Sequence, residues 1–134
     1  MNADILFFFE DHPEALPLYE ALESRIFAEI PDSRCKVSRT QITFMNKRGF
    51  AFVSFLPCRR AKDRPAVWVT VTFGLGYRKE SPRIDAATEP YPGRWTHHVL
   101  VGSVGEIDSE LMSWLQEAAA FSAAKRGNRS PGMV

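Results

Sequence analysis

Hydrophobic positions in this chain follow two spacings. Around residues 40–56 the spacing is two: Ile42 and Phe44 alternate with Gln41 and Thr43, the pattern of a strand with one wet face. After Asn46-Lys47-Arg48-Gly49 the run Phe50-Ala51-Phe52-Val53-Ser54-Phe55 is apolar on both faces, which predicts a strand well inside a sheet. Simple alternation puts Phe50 and Phe52 on one side and Ala51, Val53 and Phe55 on the other. Asn46 and Gly49 suit the start and exit of the reversal, so 40–56 predicts a β-hairpin. Extended structure is also predicted from Cys35, over 67–73 and over 95–101, where β-branched and aromatic residues concentrate. Val37 and Ile42 have opposite parity, so a bulge or corner is expected near 38–40. Gly74-Leu75-Gly76 is expected to end or bend its strand. Residues 78–94 contain three prolines and Gly93 and read as a long loop.

Two segments show helical spacing instead. Tyr19, Leu22, Ile26 and Ile30 form an apolar stripe, and Pro31-Asp32 ends it. Pro17 delays regular helix to about residues 16–18. The run 5–9 is too short for a helix of its own and is expected to be an entry turn or the start of this one. Asp11 and Pro13 have the look of an N-cap and first-turn proline, and His12 is expected to cap locally. Near the C-terminus Asp108 can cap a helix whose stripe is Leu111, Leu115, Ala118 and Ser122, with Trp114 and Phe121 beside it. Lys125-Arg126 and Gly127 suit its end. The expected fold is α+β: a mostly antiparallel sheet of about five strands with N- and C-terminal helices on one face. Residues 1–127 are expected to form one domain and 128–134 a flexible tail.

The 134-residue length suffices for a single core without staples. Net charge is +1, too small to draw the whole molecule to nucleic acid or anionic lipid. The layout is uneven: residues 1–33 carry net −7 and residues 34–64 net +8. This predicts either an acidic helix beside a basic sheet or a basic surface that meets phosphate or carboxylate. Cys35 and Cys58 are too few for a disulfide framework, and no basic leader precedes the apolar run 5–9. No apolar run approaches a membrane span. The expected setting is cytoplasmic with reduced thiols, and no membrane partner is expected.

Candidate chemistry is sparse. His97 and His98 are strand neighbours that point to opposite faces, so they do not share a metal. One is expected in the core, and the other on the open face as an acid–base group or ligand contact. Cys58 and Arg64 match the bare Cys-x5-Arg spacing of cysteine-dependent phosphatases. However, the loop has no glycine, Pro57 replaces the usual histidine, and Pro65 falls where a helix should start. Gly74-Leu75-Gly76 lacks the rest of a nucleotide-binding fingerprint. Cys and His spacings fit no zinc site, and neither a metal nor a cofactor is expected. What remains is a set matched by residue type: Arg39, Thr40, Arg48, Arg83, Tyr91, Arg94, Trp95, and His97 or His98. Arginines beside aromatic rings suit an anionic or planar ligand. They also suit ordinary sheet packing.

Six stretches resemble one family: Val37-Ser38-Arg39-Thr40-Gln41-Ile42-Thr43-Phe44, Gly49-Phe50-Ala51-Phe52-Val53, Val71-Thr72-Phe73-Gly74-Leu75, Pro82-Arg83-Ile84, Gly93-Arg94-Trp95-Thr96-His97-His98-Val99, and Ile107-Asp108-Ser109-Glu110-Leu111-Met112-Ser113-Trp114-Leu115. Together they are similar to the bacterial family called domain of unknown function 5655, over about residues 9–121. The resemblance implies an α+β domain and transfers no activity, cofactor or catalytic residue. The expected function is a small binding module for an anionic small molecule or nucleic acid. The alternatives are an enzyme using His97 or His98 with Arg39 and Arg83, and a homodimeric accessory domain.

Overall fold

The computed structural model describes residues 2–124. In chain order the elements are α1 (Ala3–Phe8), α2 (Leu16–Glu29), β1 (Arg34–Val37), β2 (Ile42–Met45), β3 (Gly49–Ser54), β4 (Val69–Leu75), β5 (Ala86–Tyr91), β6 (Arg94–Val101) and α3 (Ser109–Ala124). They build one sheet of order β1-β2-β3-β4-β6-β5, antiparallel throughout. The fold is the expected α+β one with six strands. The expected helix end at Lys125–Gly127 and the 128–134 tail lie outside the described residues.

The additional strand is β5, within the expected 78–94 loop. Its sequence has no apolar alternation and contains Pro90. At a sheet edge neither excludes a strand, and Pro90 falls where the register with β6 shifts, between Thr88 and Tyr91. Pro92-Gly93 closes the β5–β6 hairpin. Gly93 has φ of 83°, the left-handed conformation a type II turn requires after its proline.

Alternation decides which side chains meet the helices. Across β3, β4 and β6, Ala51 faces Phe73 and Phe73 faces His97, while Val53 faces Val71 and Val71 faces Val99. All of these are buried beside Leu22 and Ile26 of α2 and Leu111 and Leu115 of α3. α3 packs on β3 and β4, with α2 alongside it. Fully burying a Leu or Phe stabilises by ~1.5–3 kcal/mol, so this layer is the main source of stability. Phe50 departs from alternation. Phe44 pairs with Ala51 but Met45 with Gly49, so Phe50 occupies a bulge and is buried in the core cluster, while Phe52 keeps the other face.

The predicted corner near 38–40 is the β1–β2 reversal. Val37 pairs directly with Ile42, and Ser38 Oγ accepts the Gln41 N–H at 3.2 Å. In the β2–β3 turn Asn46 Oδ1 accepts the Lys47 N–H, and its Nδ2 donates to the Ala119 carbonyl at 2.9 Å, which fastens the hairpin to α3.

Residues 3–8 form a helix of their own, contrary to expectation. Asn2 Oδ1 accepts the Asp4 N–H at 2.7 Å, and Ile5 and the following Phe9 anchor the segment in the core. Neither Asp11 nor His12 caps by its side chain. His12 occupies the cap position of the 3-10 turn at Pro13–Ala15, but its ring stacks on Phe55 at 4.2 Å.

α3 starts as predicted: Asp108 Oδ1 accepts the Leu111 N–H at 3.0 Å. Arg83 clamps the same turn, with Nη1 2.9 Å from both Asp108 and Glu110, Nη2 on the Glu106 carbonyl, and the guanidinium over Trp114. The Leu111 N–H bond, aided by Arg83, holds the Asp108 pKa below its ordinary value. A carboxylate with a depressed folded pKa stabilises above the ordinary range and loses that contribution as pH falls through the folded value. Asp108→Ala is therefore expected to cost ~1 kcal/mol in urea denaturation at pH 7. The difference from wild type should shrink below about pH 4, where an ordinary aspartate protonates.

Candidate functional site

The sheet face turned away from α2 and α3 is concave. Thr43, Phe52, Thr72 and His98 lie side by side across β2, β3, β4 and β6, and the last three form the floor of the cavity. Next to this row Gly74 faces Thr96. A Cβ on Gly74 would lie 2.5–2.7 Å from Cζ, Nη2 and Nε of Arg94. The Arg94 guanidinium therefore rests on bare β4 backbone, a place that a side chain at position 74 would occupy.

The walls come from other segments. The β1–β2 reversal supplies Arg39, Thr40 and Gln41, and the chain leaving β3 supplies Phe55 and Leu56. The N-terminal chain contributes Phe8, Asp11 and His12. Phe55 joins these walls: it stacks on His12, lies 5.8 Å from Phe8 in parallel orientation, and meets Trp68 edge-on. The N-terminal segment thus borders this face and leaves its floor open. The cavity is open to solvent and measures about 780 Å³, within the ~300–1,000 Å³ of small-molecule sites. A smaller acidic groove adjoins it, sharing Phe8, Asp11 and Arg39.

Pairing distinguishes the arginines of this cup from most of the others. Arg25, Arg59, Arg60, Arg78 and Arg83 each hold a carboxylate. The Arg39 and Arg94 side chains have neither an ion pair nor a hydrogen bond among the described residues. Asp11 is the cup's one acidic residue. His98 Nδ1 is 2.8 Å from Thr72 Oγ1, which orients the ring, and Nε2 has no hydrogen-bond partner among the described residues. Burial lowers the His98 pKa, so the ring is neutral at pH 7.

Of the residues singled out in the sequence, Arg39, Thr40, Arg94 and His98 come together here. The others lie elsewhere. His97 is fully buried on the helix side, where Nε2 accepts the Lys79 N–H at 2.9 Å, Nδ1 lies 3.4 Å from the Phe73 carbonyl, and the ring stacks on Phe73. Burial is the main cause of its lowered pKa. Trp95 shares that face, opposite Leu75 with Arg78 over its ring. Arg83 is the clamp on α3. Arg48 sits in the β2–β3 turn, whose carbonyl lies 3.1 Å from the Ser122 hydroxyl, and Tyr91 ends the edge strand. The residue-type search missed Phe52, Thr72, Gly74 and Thr96. All four have the parity that alternation assigns to the His98 face.

Cys58 is no activated nucleophile. Its Sγ lies 3.8 Å from Thr70 Oγ1 and 3.9 Å from Asp85, and burial pushes the thiol pKa up. Among the described residues, no group of three His, Cys, Asp or Glu side chains is arranged to hold a metal, and no helix is long and apolar enough to cross a membrane.

Sheet, helices and cup define a small α+β domain with one face covered and a cavity on the other. The chain belongs to the family described as Domain of unknown function (DUF5655), whose model matches residues 7–122. No curated protein and no solved structure matches it.

The histidine assignments are testable by 15N NMR. His97 is expected as the Nδ1–H tautomer at pH 7, donating to Phe73 and accepting from Lys79. Both strand histidines should stay neutral at pH ~6.5, where an unperturbed histidine is half charged. A lowered folded pKa means that the stability from a neutral His97 is present above that value and lost as pH falls through the folded one. A His97 ring already half-protonated at pH 6.5 would contradict this.

Proposed function

We propose that this domain is a binding module that takes a small organic anion into the cup on the uncovered sheet face. The observation that carries the reading is the convergence of Arg39 and Arg94, unpaired among the described residues, on a cavity of about 780 Å³. Guanidinium groups left without carboxylates in a partly enclosed site suit a carboxylate or phosphate group from outside. Hydroxyls of Thr40, Ser54 and Thr96 line the same cavity and add hydrogen-bonding capacity.

The same pairing pattern favours a small molecule over nucleic acid. Much of the basic 34–64 segment is engaged within the fold: Arg34 donates to the Asn46 carbonyl, Arg59 and Arg60 hold carboxylates, and Arg64 lies over Trp68. A backbone-tracking surface needs many free cations in a row. A second reading, acid–base catalysis, is favoured by one feature. Thr72 orients the His98 ring at Nδ1 and leaves Nε2 for proton exchange, which suits a general base that is neutral at pH 7. Arg39 fits this second reading, whereas His97 and Arg83 have structural partners.

NMR titration of the 15N-labelled protein with sodium acetate is expected to move the amides of Gly74, Thr96, His98 and Arg39. The Arg39→Gln/Arg94→Gln double variant should weaken binding at least tenfold, since each charged hydrogen bond is worth ~1.5–3 kcal/mol. Perturbations centred on residues 57–65, or unchanged in the double variant, would overturn the reading.

A further inference from the structure

The charge count, the orientation of Arg94 and the aromatic walls restrict which anion fits. Two arginines face one carboxylate, Asp11, and His98 is neutral, so the arginines exceed the carboxylate by one positive charge. The adjoining groove brings Asp4 and Glu10 near the Arg39 side and opposes any larger negative charge. This balance suits a monoanion and disfavours a polyphosphate.

Arg94 does not simply point a fork at the ligand. Cζ, Nη2 and Nε stand at almost equal distances, 2.5–2.7 Å, from the Cβ direction of Gly74. The guanidinium plane therefore lies flat across β4. One face covers the glycine and the other is turned toward the cup, the orientation in which guanidinium stacks on an aromatic ring. Phe52 stands beside it, on the strand next to Gly74. On the wall, Phe8, Phe55 and His12 present rings already near parallel, at 20° and 30° interplanar angles. The sheet floor, which carries Phe52 and the Arg94 guanidinium, and this aromatic wall bound a slot. Arg39, with Thr40 beside it, sits at the rim on a turn, free to meet the charged end of a ligand whose ring occupies the slot.

We infer that the ligand is an aromatic monocarboxylate, its ring stacked over Arg94 and against Phe52 and its carboxylate directed to Arg39. This rests on the anion-binding reading above and narrows it. Calorimetric titration of the full chain with 2-naphthoate, cyclohexanecarboxylate, acetate and inorganic phosphate tests it. 2-Naphthoate is expected to bind at least tenfold tighter than acetate or phosphate, and several-fold tighter than cyclohexanecarboxylate. Gly74→Ala, whose methyl lifts the guanidinium without removing its charge, should lower 2-naphthoate affinity at least fivefold and acetate affinity less than twofold. Phe52→Leu should show the same selectivity. In the wild-type protein, intermolecular NOEs from naphthalene protons to the Phe52 and Phe55 rings give a readout that needs no variant. Phosphate or cyclohexanecarboxylate binding as tightly as 2-naphthoate, or the absence of those NOEs, overturns the aromatic assignment while leaving an anion site. Failure of all four probes to bind overturns both readings.

Discussion

The arrangement of this molecule depends on side-chain parity along its two central strands. Odd-numbered residues of β4 and β6, from Val69 to Leu75 and from Trp95 to Val101, are turned to the helix side. Even-numbered residues necessarily look the other way. Once α2 and α3 bury Val71, Phe73, His97 and Val99, the positions of Thr72, Gly74, Thr96 and His98 are fixed as the floor of a second surface. A one-residue slip of β6 would exchange His97 for His98 and disrupt both layers at once. Packing on one side is thus what holds the candidate site together on the other.

Charge is segregated along the chain, and among the described residues no ion pair joins the acidic 1–33 segment to the basic 34–64 segment. Arg25 closes on Glu29 within α2, and Arg59 reaches Asp85 across the open end of the sheet, where Asp85 also accepts the Leu100 N–H. Most arginines therefore serve the fold. Only the unequal pairing identifies Arg39 and Arg94 as different, and no count of basic residues reveals it.

Local patterns were legible in the sequence where a local cause sets the structure. The 40–56 hairpin, the Tyr19–Ile30 stripe and the Asp108 cap each arise from residues within a few positions of one another. The missed features are nonlocal or irregular. β5 has no alternation because an edge strand with a mostly exposed surface needs none. Phe50 changes side because a bulge consumes one residue. Arg83 looked like a ligand group because its partners, Asp108 and Glu110, lie some 25 positions away, beyond any spacing rule. At the site, alternation showed that one of His97 and His98 faces the core and the other the open face, but not which. The same rule, carried from His98 to Arg94 and Thr96, separates them from Trp95 by parity alone. Gly74, in contrast, suggested a strand end. Its role as a platform for Arg94 emerges only when β4 and β6 are laid side by side.

The central claim is that the uncovered sheet face keeps two guanidinium groups free for an external anion. The most direct measurement is a crystal structure of the protein soaked in sodium iodide, in which anomalous scattering locates bound anions whatever the natural ligand is. The account predicts a leading iodide peak in the cup between Arg39 and Arg94, on the side of Arg94 away from Gly74. Arg39 or Arg94 paired with Asp11, or a cup empty of iodide while peaks collect at Arg59–Arg64, would contradict it.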